Sequence, residues 1–104
     1  MDIDIIQLLY NKKAVVLSEH FLDMLIKRGV TLSQVKAGIA SGKVIEQYPD
    51  DYPHPSALIL GYTNDGKPLH IVVGMGDDVI WFVTTYYPDS NIWESDYKTR
   101  RVRL

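Results

Sequence analysis

Apolar positions in the first forty residues recur at helical spacing, whereas those of the next forty alternate or run together as β-branched residues. Ile5, Ile6 and Leu9 form one stripe, with Asp2 placed as a cap and Asp4 near the positive end of the dipole, which predicts a short helix over residues 4–9. A second helix begins at Ser18. Its apolar face is Phe21, Leu22, Leu25 and Ile26, Lys27 and Arg28 fill the last turn, and Gly29 can take the left-handed stop. Thr31-Leu32-Ser33-Gln34 has the form of a capping box, so a third helix runs from there to a stop at Gly42.

From Lys43 the period changes. Val44 to Tyr48 reads as a strand stopped by Pro49, with Glu46 pointing with Val44 and Tyr48. Ala57 to Thr63 and Leu69 to Met75 flank Asn64-Asp65-Gly66-Lys67, whose Asp-Gly step suits a tight antiparallel hairpin. Val79 to Tyr87, after a turn at Gly76-Asp77-Asp78, is a fourth strand closed by Pro88. The remaining residues show no clear periodicity and turn basic at Lys98, Arg100, Arg101 and Arg103. The expected architecture is α+β in one domain: helices over about residues 2–42, packed on a four-stranded antiparallel sheet over about 43–87, and a basic tail over 88–104.

With 104 residues there is material for one core. A formal charge of −2 argues against broad attraction to nucleic acid, so any phosphate contact would be local. The absence of cysteine removes disulfides, a thiol nucleophile and thiolate metal sites together. No apolar run approaches a membrane span, and the acidic start Met1-Asp2-Ile3-Asp4 is unlike a secretory signal, so the expected location is the cytoplasm.

The three histidines, His20, His54 and His70, show no metal-ligand spacing, and no metal or cofactor is expected. His70 interrupts the apolar run Leu69 to Val73 and alternation puts it on the opposite face, where it looks into an open side if the helices cover one face only. It is either functional or a buried imidazole bonded to backbone or a cross-strand partner. His20 shares a stripe with Asp23 and Lys27 that suits a solvated face. Glu46 could act as a general base or orient a histidine, or simply face solvent. Tyr86 and Thr84 share one face of the last strand, Thr85 and Tyr87 the other; with Trp93 the tyrosines could stack on unpaired bases or serve as packing. The basic end could dock phosphate, solubilise the chain or meet an acidic partner.

Taken together, Ser18-Glu19-His20-Phe21, Lys27-Arg28-Gly29-Val30, Gly42 to Asp51, Lys67 to Val73, Thr84-Thr85-Tyr86-Tyr87-Pro88, Trp93 and Arg100-Arg101 resemble a small bacterial and archaeal domain-of-unknown-function family grouped with the RelE-like ribonuclease toxins. The resemblance implies a RelE-like fold, with helices on a curled antiparallel sheet. It also implies a toxin–antitoxin setting: a metal-independent endoribonuclease acting on mRNA, with RNA or the ribosome as target and a cognate antitoxin, often a zinc-finger and helix-turn-helix protein, as partner. Such cleavage uses the RNA's own 2′-hydroxyl, so the protein must move two protons and stabilise a phosphate. On the matching positions this implies His70 or Glu46 near the base role, His20 as acid, and Arg28, Lys98, Arg100 and Arg101 as phosphate partners beside Tyr86 and Trp93. The alternatives are a noncatalytic protein-interaction module of the same fold and, third, a small-ligand pocket between helices and sheet.

Overall fold

The helix signals act where the sequence puts them. In the computed structural model, which describes residues 1–102, Asp2 caps α1 (Ile3–Asn11) and Ser18 caps α2 (Glu19–Arg28) by accepting the Phe21 N–H at 3.0 Å. Gly29 ends α2 at a φ of 66°. Thr31 and Gln34 bond reciprocally at the start of α3 (Leu32–Ala40), which stops at the Ser41 cap, short of the expected Gly42. Ser41 Oγ donates to the Ala37 carbonyl and accepts the Tyr62 N–H, each at 2.8 Å, joining the helix end to the sheet.

The expected four-stranded antiparallel, curled RelE-like sheet does not hold. Five strands, β1 (Val15–Leu17), β2 (Lys43–Tyr48), β3 (Ser56–Tyr62), β4 (Pro68–Gly76) and β5 (Val79–Tyr86), form one mixed sheet in the order β1-β5-β4-β3-β2. β1 runs parallel to β5 in the register Val15↔Ile80, and every other neighbour is antiparallel. Three residues give too few alternating positions to stand out between two helices, so this strand is defined by its neighbour: the Ile80 N–H donates to the Ala14 carbonyl at 2.9 Å. The β4–β5 turn places both Asp77 and Asp78 at positive φ, 57° and 59°, the geometry of a tight two-residue hairpin.

The helices cover one face. Ile59, Leu69, Ile71, Val73, Ile80 and Phe82 meet Ile6, Phe21, Leu25, Val35 and Ile39 there in the main core. Approach is closest where α3 crosses β3, because a Cβ on Gly61 would stand 1.9 Å from the Gly38 carbonyl oxygen.

The other face is covered too. Leu58 and Leu60, which alternate away from the helices, are 1% and 2% exposed. At one end His54, from the connection between β2 and β3, stacks on Trp81 with ring centroids 5.2 Å apart. At the other end the segment after β5 lies over β4, with Trp93 buried. Among the described residues no helix is long and apolar enough to cross a membrane.

Gly61→Ala should lower stability by about 2 kcal/mol or more, since the obstacle is backbone that cannot rotate away. Gly66→Ala, at a φ of 81° but in open space, should cost roughly 1 kcal/mol. Urea midpoints of the two variants check the difference; equal midpoints would contradict the close α3–β3 approach.

Candidate functional site

The second face of the sheet gathers most of the chemistry-bearing side chains. His70 lies in β4, opposite Tyr86 of β5, and both alternate away from the helices. Two bulges decide what joins them. The shift between Val44 and Glu46 turns Val44 toward the helices, opposite Ile59, and Glu46 toward the second face, opposite Leu58; Glu46 therefore points with Tyr48 but not with Val44. A second shift, between Val72 and Val73, leaves Thr84 and Tyr86 on this face and Phe82 and Thr85 on the helix face.

The face is not the open side expected of His70. Its ring is 0% exposed, beneath Trp93 at a centroid distance of 4.6 Å and nearly perpendicular to it. His70 Nε2 stands 2.6 Å from the Tyr97 carbonyl, which can only accept, so Nε2 carries the proton and Nδ1 accepts from the Tyr86 hydroxyl at 3.3 Å. Burial lowers the imidazole's pKa and favours this neutral form; the Tyr97 carbonyl and the Glu46 charge oppose the shift without reversing it.

Glu46 is equally committed. Arg100 donates Nε and Nη2 to its two oxygens, each at 3.0 Å, and the Tyr48 hydroxyl donates to Oε1. The Arg100 hydrogen bonds hold the carboxyl below its usual range and raise the guanidinium further, while burial first and Glu46 second push Tyr48 up to about 12. Arg100 also lies over the Trp93 ring at 4.5 Å. The result is a chain of contacts, Tyr48–Glu46–Arg100–Trp93–His70–Tyr86, that crosses from β2 to β5 through the terminal segment.

Arg28, at the end of α2, donates to Thr84 Oγ1 at 2.8 Å and to the Thr85 carbonyl at 3.0 Å, with its guanidinium 5.9 Å from the Tyr86 ring centre. Arg101 bonds the Ser90 carbonyl and Glu94. Lys98 is exposed in the turn around Asp96. His20 is exposed on α2, across the sheet from His70, so those two imidazoles are not brought together. Arg103 lies outside the described residues. Two further groups belong to the site: Tyr48, which its two-residue spacing from Glu46 signals, and the Tyr97 carbonyl, which nothing local in the sequence marks. Among the described residues no cluster of three or more His, Asp or Glu side chains could hold a metal. In this conformation the face offers no free imidazole nitrogen and no unpaired Glu46 carboxylate with which to move a proton.

Residues 17–87 match a family described as a domain of unknown function, DUF4258. No curated protein and no solved structure matches the chain. None of these comparisons connects it with RelE-like toxins.

A buried neutral imidazole has a consequence for acid stability. Its folded pKa lies below the ordinary 6.5, so below about pH 6.5 the unfolded chain binds the extra proton and stability falls as pH falls. Glu46, also depressed, adds a loss of the same sign below about 4.5, small because the pair with Arg100 is partly screened. His70→Gln, whose amide can still donate to Tyr97, should flatten the loss between pH 6.5 and 5 and leave the lower one. Urea midpoints across that range check this; an unchanged slope would place the titration elsewhere.

Proposed function

The chain belongs to the DUF4258 family, and we propose that it is a noncatalytic protein-interaction module whose second sheet face is a closed seal rather than a reaction surface. What carries the reading is His70: no exposure, an Nε2–H donated to a backbone carbonyl and a lone pair facing a phenol. A ring so held fixes structure well and transfers protons to a substrate poorly. The basic end supports the same reading, because Arg100 and Arg101 are spent on Glu46 and Glu94 instead of standing ready for phosphate. The surface left to a polypeptide partner includes the outer edge of β2, the last strand in the sheet order. Such an edge takes an added strand through its main-chain groups.

A second reading, a metal-independent endoribonuclease toxin with a cognate antitoxin, has one observation in its favour. Glu46, His70 and Tyr86 do converge on one face, with Arg100 brought to Glu46 by the segment from Asp89 to Arg101, and lifting that segment would uncover the first three for RNA and free the Arg100 guanidinium.

Inducible expression in a bacterial host separates the two. The interaction module predicts unaffected growth and intact transcripts, with the wild type and His70→Gln indistinguishable. Growth arrest with cleaved transcripts, abolished by His70→Gln in a folded variant, would establish the second reading and overturn the first.

A further inference from the structure

On the helix side of the sheet, away from His70, a cavity of about 330 Å³ opens between α1, α3 and β1. Its floor is apolar: Val15 and Leu17 of β1, Val35 of α3 and Phe82 of β5. Its rim is of another kind. Tyr10 and Lys13 stand at the end of α1 and Lys36 on α3, and a smaller hollow of about 200 Å³ shares Tyr10 and Lys36. Both lysines are exposed, and neither pairs with a carboxylate among the described residues. The Tyr10 hydroxyl likewise bonds to no described protein group, while its ring sits edge-on to Phe82 at 6.0 Å.

The backbone sets up this rim. Lys13 adopts a φ of 61°, a left-handed conformation unusual for a residue with a side chain, as the chain turns from α1 into β1. The amides of Lys12, Lys13 and Ala14 bond the Leu8, Tyr10 and Leu9 carbonyls, so the negative end of α1 is largely satisfied where the cations stand.

We propose that this cavity binds a small amphipathic anion, an alkyl or aryl carboxylate, with its apolar body on the Val15–Leu17–Phe82 floor and its carboxylate held by Lys13, Lys36 and the Tyr10 hydroxyl. The volume falls at the lower end of the range of small-molecule sites, and an apolar floor with few convergent polar groups is their usual composition. Unpaired cations at the mouth select the sign of the head group, because a charge-assisted bond to carboxylate is roughly twice as strong as a neutral one. Burial raises the Tyr10 pKa, which keeps its hydroxyl a donor.

The test is an NMR titration of the full chain with octanoate, 1-octanol and octylammonium, three probes with one alkyl chain and different heads. Octanoate should bind saturably with shifts centred on Tyr10, Val15, Leu17 and Phe82, and about tenfold more tightly than octanol. Octylammonium should bind more weakly still. Lys13→Gln/Lys36→Gln, which changes exposed side chains only, should bring octanoate affinity down to that of octanol without altering octanol binding. No saturable octanoate binding, shifts centred elsewhere, equal affinity for all three probes, or a double variant that binds octanoate like the wild type would each overturn the proposal.

Discussion

A sheet with helices along one side leaves its other side wet unless something else lies on it, and in this chain the terminal segment does so by way of one imidazole. His70 donates its Nε2–H to the Tyr97 carbonyl and packs perpendicular to the Trp93 ring, fixing the segment by a polar and an aromatic contact at one point. Leu58 and Leu60 on the same face are almost fully buried. Arg100 then reaches back to Glu46, 54 positions earlier in the chain, and closes the far side across the Trp93 ring.

The same closure fixes the chemical state of the groups beneath it. A histidine whose two nitrogens face a carbonyl and a phenol is neutral and of known tautomer, and a carboxylate gripped by a guanidinium remains ionised. Each is the opposite of what proton transfer to a substrate needs, since the first is sealed and the second is a weak base. In this conformation residue types that suggest catalysis in the sequence hold the segment after β5 against the sheet. Lys13 and Lys36, which pair with no carboxylate among the described residues, are on the other side of the sheet, beside apolar surface.

Much of the fold is legible from local rules. Ser18, Gly29 and the Thr31–Gln34 box mark helix ends because their chemistry acts over three or four residues. The side of β4 that carries His70 follows from alternation alone. What escapes is whatever depends on distant partners. β1 exists because β5 offers it an edge, the bulge at Ile45 separates Val44 from Glu46 although a regular strand would keep them together, and Arg100 meets Glu46 only after the whole sheet has formed. The segment around Trp93 has turns readable as Asp89 and Asp96 bonding the amides that follow them. Its place over His70 is set by three-dimensional fit, which no period in the sequence records.

Amide hydrogen exchange of the native protein tests the seal most directly. The Glu94 and Arg101 amides, bonded to the Thr99 and Ile92 carbonyls, should exchange about as slowly as those of β4 and should become fast in Trp93→Ala while the β3 and β4 amides stay protected. Exchange of these two amides at the rate of an unstructured chain in the wild type would mean that the terminal segment does not hold the second face closed.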